Sequence, residues 1–177
     1  LSLILENPYN ASDPWAAIQA ITELSEKNAG MKAELDKNGI VNIGLWTSGA
    51  FHLYLGGPYG GLNDVKGKVI RTFGGGRQLM WEKLNAAPMF MVINEVYEAQ
   101  ERKVLWGFEN TLILSDALKH AEIVKTLVLQ YSGMVAGAPV SINRGAWEKL
   151  PEADRKVILG VRSDFNQRNF GLALHSL

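Results

Sequence analysis

Arg71 is the most informative charged residue in the 177-residue sequence. It lies near the end of a predicted strand, where the two-residue alternation of side chains places it on the same face as Val69 and Phe73. An arginine on an apolar face needs a partner, and its planar guanidinium matches a carboxylate presented edge-on. The sequence leaves two partners open. One is the carboxylate of a ligand, and the other is an internal acid such as Glu95 or Glu109, in which case ligand contacts come from elsewhere.

The residues needed for hydrolysis or metal chemistry do not form a recognisable motif. Ser48 and Ser132 lack the glycine that precedes a nucleophilic serine in the Gly-x-Ser-x-Gly turn. His52, His120 and His175 are far apart in the sequence, and His120 is interpreted as a charge partner for the C-terminus of a helix. The sequence therefore favours neither a hydrolase nor a metalloenzyme, and we expect no metal and no cofactor.

The glycine turn Gly74–Gly76 is a second candidate site, because it follows a predicted strand and begins a helix. Main-chain N–H groups at such a position favour an anion. Glu95 follows about 20 residues later, the spacing of the ribose-binding acid in dinucleotide folds. Three consecutive glycines do not match the Gly-x-Gly-x-x-Gly spacing, however. The alternative function is an α/β enzyme that binds a phosphorylated cofactor here, with Glu95 or Glu109 as base. The structural alternative is a tight turn.

Strand and helix patterns alternate along the chain and must position these residues. Strands are predicted at 40–46, 51–55, 68–73, 88–92, 104–106, 124–130 and 135–142. Helices are predicted at 14–28, 31–38, 77–85, 95–103 and 110–120, and two helices close the chain. This alternation predicts an α/β fold with mixed, mostly parallel sheets.

The composition excludes several classes of function. The sequence has 18 Lys and Arg against 18 Asp and Glu, and no basic run, so we expect no nucleic-acid binding. No apolar stretch approaches the ~20 residues that span a bilayer, so direct membrane insertion is not expected. The absence of cysteine excludes disulfides and thiol chemistry. The apolar ends, at 1–5 and 170–177, indicate a piece of a longer chain.

Five segments occur in an order and at spacings typical of one protein family. They are LNDVKGKVIR at 62–71, LNAAPM at 84–89, NEVYEA at 94–99, VLWGFEN at 104–110 and SINRGAWEKLP at 141–151. Each segment resembles the corresponding motif of the DctP-type substrate-binding proteins of TRAP transporters. The resemblance implies a two-lobed periplasmic-binding-protein fold, incomplete in this chain. Residues 1–48 and 137–177 would form part of one lobe, and residues 49–136 would form the other.

The same resemblance implies a function and a set of ligand contacts. The function is that of a periplasmic receptor, not an enzyme, which closes on a small organic acid by hinge motion and delivers it to the membrane subunits of a TRAP permease. Arg71 would form a salt bridge with the ligand carboxylate. Phe73, Gly74, Ile93 and Asn110 would supply further contacts.

Three positions depart from the pattern of the family. Phe51 replaces a second arginine that some members carry, Trp106 replaces an acid, and Phe73 or Gly74 replaces a pocket asparagine. These changes remove polar groups and add aromatic ones, and they add Phe51 to the expected contacts. We therefore expect a ligand with one carboxylate and a less polar body, rather than a sialic acid or a dicarboxylate.

Overall fold

The computed structural model describes residues 13–46, 49–133 and 138–174. These fall into two compact units, one containing residues 13–46 and 138–174 and the other residues 49–133. The predicted lobe boundaries at residues 48 and 137 lie outside the described residues. Of the predicted apolar ends at 1–5 and 170–177, residues 1–5 and 175–177 also lie outside them.

The helices and strands follow one another in the predicted alternation. In chain order they are α1 (Pro14–Lys27), α2 (Ala29–Lys37), β1 (Ile40–Trp46), β2 (Phe51–Leu55), β3 (Val69–Thr72), α3 (Gly75–Lys83), β4 (Ala87–Phe90), α4 (Val96–Glu101), β5 (Gly107–Thr111), α5 (Leu112–Ala117), β6 (Thr126–Val128), β7 (Ala138–Asn143), α6 (Arg144–Glu148), α7 (Glu152–Gly160) and α8 (Arg162–Leu174). Short 3₁₀ helices occupy Leu62–Val65, Ile93–Glu95 and His120–Glu122.

The first unit contains an antiparallel pair of strands, β1 and β7, with helices before and after it. Its first helix begins where the sequence predicts. The Asp13 carboxylate accepts hydrogen bonds from the main-chain N–H groups of Trp15, at 2.8 Å, and Ala16, at 3.1 Å, and Pro14 takes the first helical position. This capping satisfies N–H groups that a helix start leaves without partners. Ile18 and Ile21 are buried on the inner face of the helix.

The second unit is built on a five-stranded sheet with the order β4-β3-β5-β2-β6. Strand β3 pairs in parallel with both β4 and β5, whereas β2 pairs antiparallel with β5 and β6. In this register Arg71 lies opposite Met89 on one side and Phe108 on the other. His52 lies opposite Asn110.

The predicted α/β class with mixed sheets is confirmed, but parallel pairing is less extensive than the alternation predicts. Among the described strands, two of the five pairs are parallel, and both lie within the run from β3 to β5, whose strands are separated by α-helices. Strand β2 is followed by a glycine-rich turn and the 3₁₀ helix Leu62–Val65 instead of a crossover α-helix. A parallel neighbour needs such a crossover, so β2 joins the sheet in the antiparallel direction.

Both faces of the five-stranded sheet are covered. On one face, Leu53, Leu55 and Ile70 pack with Val65 and Trp81. The other face has its own buried cluster, consisting of Tyr54, Val96, Ala99, Leu105 and Phe108. Burial on both sides holds the strands firmly and therefore also fixes the residues at the strand ends.

The largest difference from the predicted elements is at β5. The sequence predicts a strand at 104–106 and a helix at 110–120, whereas the strand is Gly107–Thr111 and the helix is Leu112–Ala117. Every residue of β5 is buried, including Glu109 and Asn110. Two buried polar residues in succession hide the apolar pattern by which a strand is recognised.

Candidate ligand-binding site

One edge of the five-stranded sheet gathers the six predicted ligand contacts. The parallel strands β3, β4 and β5 all end at this edge, and the antiparallel strand β2 begins there. Ligands of open α/β sheets bind outside the carboxyl ends of the strands. The predicted contacts at or just beyond these ends are Phe51 on β2, Arg71 on β3, Phe73 and Gly74 directly after β3, Ile93 in the 3₁₀ helix after β4, and Asn110 on β5.

Arg71 is held at this edge by two main-chain oxygens. Its Nε donates to the carbonyl of Met91 at 2.8 Å, and its Nη1 donates to the carbonyl of Glu109 at 3.3 Å. The side chain is buried, and burial lowers the pKa of Arg71 to about 10, although the nearby Glu109 charge raises that pKa. Arg71 is therefore protonated near pH 7. No carboxylate in the described parts of the chain forms an ion pair with it.

The internal ion pair considered for Arg71, with Glu95 or Glu109, is not formed. The carboxylate of Glu109 pairs instead with Arg77, whose Nη1 lies 2.9 Å from Oε1. Glu95 is exposed, and it forms no ion pair with Arg71. The alternative in which Arg71 forms an internal salt bridge with either acid is therefore wrong for the described residues, since its bond to Glu109 goes to the main-chain carbonyl. A ligand carboxylate as the partner of Arg71 stays a prediction.

Arg77 is completely buried and was not singled out from the sequence. Its Nη1 and Nη2 donate to the hydroxyl and carbonyl oxygens of Ser132, at 2.9 Å and 3.0 Å. The guanidinium carbon lies 4.2 Å from the centroid of the Phe51 ring. A signal for Arg77 was present, because it lies four residues before Trp81 and both face inward on α3.

The Glu109 carboxylate is surrounded by donors besides Arg77. Trp81 Nε1 donates to Oε2 at 2.9 Å, and Ser132 Oγ donates to Oε1 at 3.1 Å. Gln130 Nε2 donates to Oε1 at 3.3 Å. These donors satisfy the remaining hydrogen-bonding capacity of the buried carboxylate, which a charge in a protein interior requires. Sequence patterns give no indication of Gln130 and Ser132, since both follow β6 and reach Glu109 through the tertiary fold.

The amide of Asn110 forms its hydrogen bonds inside the unit. Its Nδ2 lies 3.2 Å from Nδ1 of His120, and its Oδ1 accepts the N–H of Thr111 at 2.9 Å. Burial, assisted by the charge of Arg71, lowers the pKa of His120 to about 4, so the imidazole is neutral near pH 7. The interpretation of His120 as a charge partner for a helix end is therefore wrong. Helix α5 ends at Ala117, and His120 packs edge-on against Phe108.

The backbone geometry explains the glycine turn after β3. Gly74 has φ +92° and Gly75 has φ +61°, a region that favours glycine because other residues are strained there. Helix α3 begins at Gly75. These angles support the tight-turn alternative for Gly74–Gly76.

A cavity of about 660 Å³ lies at the opposite edge of the same sheet. It is lined by residues at the end of β2 and before or at the start of β3, β5 and β6, among them Gly56, Val69, Trp106 and Lys125. Its lining contains none of the six predicted contacts. This cavity is therefore not the place at which the buried arginines lie.

An α/β unit that holds a buried arginine at the carboxyl end of a parallel strand has the features of a solute-binding lobe. The chain belongs to the DctP family of bacterial extracellular solute-binding proteins, family 7, whose sequence profile matches residues 2–173. The predicted resemblance is confirmed. This family consists of solute-binding proteins and not of enzymes.

Curated relatives and solved structures agree with this assignment. The sialic acid-binding periplasmic protein SiaP of Vibrio cholerae is 29% identical over 114 residues, which are 64% of this chain and 35% of the relative. A solute-binding protein of Sulfitobacter sp. is 29% identical over 149 residues, which are 83% of this chain and 44% of the relative. The chain thus spans less than half the length of these two relatives.

Solved structures of TRAP periplasmic solute-binding proteins share the fold. One from Chromohalobacter salexigens, with bound D-glucuronate, gives a TM-score of 0.84 at 22% identity, over 98% of this chain and 57% of that one. One from Desulfovibrio salexigens, with bound orotic acid, gives a TM-score of 0.82 at 23% identity, over 98% of this chain and 55% of that one. A Bordetella pertussis receptor that binds pyroglutamic acid gives a TM-score of 0.83 at 20% identity, over 97% of this chain and 56% of that one. No helix in the described ranges has the length and apolar character needed to cross a membrane.

Proposed function

We propose that this protein is the periplasmic receptor of a TRAP transporter, which binds a small organic acid through Arg71 and delivers it to the membrane subunits of the permease. The observation that carries the proposal is the buried guanidinium at the sheet edge, which has no acid partner among the described residues. The three solved relatives described above each bind an organic acid, which supports a carboxylate as the missing partner.

The hydrogen bonds of Arg71 leave part of its guanidinium for a ligand. Nε and Nη1 are bound to the carbonyls of Met91 and Glu109, which fix the plane of the group. Nη2 has no hydrogen-bond partner in the described parts of the chain. A carboxylate placed against this side would receive charge-assisted hydrogen bonds from a donor that is already oriented.

The charges at this edge favour an acid with one carboxylate. The charge of Arg77 is matched by Glu109, and burial lowers the pKa of both His52 and His120, which leaves them neutral near pH 7. Among the described residues at this edge, Arg71 therefore supplies the single unmatched positive charge. The ring of Phe73 lies 5.7 Å from the Arg71 guanidinium carbon and adds an apolar wall, which suits a less polar ligand body.

The remaining predicted contacts have different roles in this proposal. Gly74 and Ile93 are half-buried next to the strand ends and are retained as ligand contacts. Phe51 is buried between Arg77 and Phe73, so we assign it to the support of the site instead. Asn110 is retained as a contact that would use the amide hydrogen not directed at His120.

We also propose that residues 1–48 and 137–177 belong to one lobe and residues 49–136 to the other, and that the lobes close on the acid by hinge motion. The division of the described residues into two compact units supports this assignment. Hinge closure around a ligand is a common motion of two-lobed binding proteins.

A thermal-shift screen against organic acids tests the proposal on the complete mature protein. The panel contains pyroglutamate, orotate, D-glucuronate, succinamate, succinate and L-malate, and nucleotides are included for comparison. An acid present at about 100 times its Kd stabilises the native state by about 2.7 kcal/mol, which raises Tm measurably. We expect this ligand-dependent rise for the wild type and its loss in Arg71→Met.

The matched control is Arg102→Met, which removes an arginine whose side chain is 73% exposed and pairs with Glu98 one helical turn away. This variant should keep the full ligand-dependent rise in Tm. Because Arg71→Met also removes one hydrogen-bond donor from each of two carbonyls, its Tm without ligand will fall, and only the shift caused by the acid is compared. An equal shift in Arg71→Met and wild type would contradict the assignment of Arg71. Stabilisation by a nucleotide alone would favour the cofactor-binding enzyme.

A further inference from the structure

Two buried arginines contact the same aromatic ring at the edge of the sheet. The guanidinium carbon of Arg71 lies 5.7 Å from the centroid of Phe73, and that of Arg77 lies 5.4 Å from it. Both side chains are buried, Arg71 with 4% of its surface exposed and Arg77 with none. An anion bound at Arg71 is therefore close enough to experience the charge of Arg77 in surroundings that screen it weakly.

Glu109 is the group that cancels this second charge. Its carboxylate is the acid that pairs with Arg77, and its side chain is fully buried. Its other hydrogen bonds come from Trp81, Ser132 and Gln130, which are neutral donors and do not alter the charge. Two arginines and one glutamate leave a single positive charge at this edge of the described unit.

We propose that Glu109 determines the charge of the acid that the protein accepts, by neutralising Arg77 and so restricting the site to monoanions. The inference rests on the proposed function, in which Arg71 binds the ligand carboxylate. Glu109 touches no ligand in this scheme and acts only through Arg77. Without Glu109 the site would hold two positive charges, and a dianion would gain more than a monoanion.

The change in net charge gives opposite expectations for two single variants. A unit charge within about 10 Å, at the effective dielectric constant of a protein site, changes the affinity of an anion by roughly tenfold. In Glu109→Gln we expect the affinity for succinate to rise about tenfold relative to that for succinamate, a monoanion of nearly the same shape. In Arg77→Met, where Glu109 is left to oppose Arg71, we expect the affinity for monoanions to fall about tenfold.

The double variant Arg77→Met/Glu109→Gln restores the single positive charge and should recover the monoanion affinity and the selectivity of the wild type. Replacing both members of a buried ion pair by neutral groups of similar size is commonly tolerated, whereas either single change leaves one charge unpaired. If Glu109→Gln fails to fold, the double variant therefore tests whether Glu109 acts by neutralising Arg77. Glu101→Gln, which removes an exposed acid at the opposite edge of the sheet, is the control and should change nothing.

Affinities are measured by isothermal titration calorimetry with succinate, succinamate, pyroglutamate and L-malate, and circular dichroism confirms folding. An unchanged ratio of dianion to monoanion affinity in folded Glu109→Gln overturns the proposal. The proposal is also overturned if the double variant binds monoanions no better than the single variant Arg77→Met. Failure of the wild type to bind any acid of the screening panel overturns the proposed function instead, so the two failures are distinguishable.

Discussion

At the level of single residues, the two buried arginines differ in what neutralises them. Arg77 meets a full negative charge on Glu109, whereas Arg71 meets only the partial charges of two carbonyl oxygens. Carbonyl oxygens orient a guanidinium without cancelling its charge, so Arg71 keeps its attraction for an anion. This difference explains why Arg77 forms an internal ion pair, whereas Arg71 is the arginine proposed to bind the ligand.

His120 makes the stability of this unit depend on pH. Burial lowers its pKa from 6.5 to about 4, so on acidification the unfolded chain takes up the proton before the folded chain does. The stability is therefore complete above about pH 6.5 and is lost as the pH falls towards 4. We expect His120 to account for a loss of about 2 kcal/mol between pH 7.5 and pH 5.

The free energy of urea unfolding, measured at these two pH values for wild type and His120→Gln, checks this expectation. The variant should lose much less stability on acidification. It will retain some pH dependence, because burial also lowers the pKa of His52. Equal losses in the two proteins would show that the imidazole of His120 is not the group responsible.

At the level of secondary structure, β5 carries the residues that organise the site. It lies between β3 and β2, and it supplies the carbonyl that holds Arg71, the carboxylate that holds Arg77 and the amide of Asn110. A shift of this strand by one residue would exchange the faces on which Glu109 and Asn110 lie. The pairing of β5 with β2 therefore determines the chemistry of the edge.

Gly107 permits that pairing, and its replacement is predicted to be severe. A Cβ atom at this position would lie 2.4 Å from Cδ2 of Leu55 and 2.7 Å from the main-chain oxygen of Tyr54. A backbone atom cannot move aside cheaply, so we expect Gly107→Ala to lower the free energy of unfolding by about 2–3 kcal/mol. Gly57→Ala is the control, since its Cβ would meet its nearest neighbour only at 4.0 Å. Urea unfolding that gives equal stabilities for the two variants would contradict this role of Gly107.

The strands and the charged residues on them show what the sequence can and cannot predict. Strands β1 and β2 were predicted with their observed bounds because their side chains are mostly apolar and turns surround them. Arg71 was recognised because a charge on an apolar strand is conspicuous. Glu109 was considered only as a base or a brace, since its pairing with Arg77 depends on how α3 packs on the sheet. Such tertiary convergence leaves no local pattern.

At the level of the whole molecule, the proposal needs both lobes. The chain covers 55–57% of the length of the three solved relatives, and its described residues form two units connected through positions outside the described ranges. Arg71 is itself buried, but a carboxylate bound to it at the sheet edge would keep its outward side in water, which weakens the ion pair. Closure of a second lobe over the acid would remove that water and strengthen the electrostatic attraction.

Small-angle X-ray scattering of the complete mature protein tests this closure. We expect the radius of gyration of the wild type to decrease when it is saturated with the acid that gives the largest thermal shift, because the lobes approach one another. The Arg71→Met variant at the same acid concentration should keep the radius of the unliganded protein, and Arg102→Met should behave like the wild type. A wild-type protein that is stabilised by the acid without becoming more compact would retain Arg71 as the binding residue and exclude hinge closure. That outcome would mean that the charge at the sheet edge is sufficient for capture, and that recognition by the permease does not depend on a closed form.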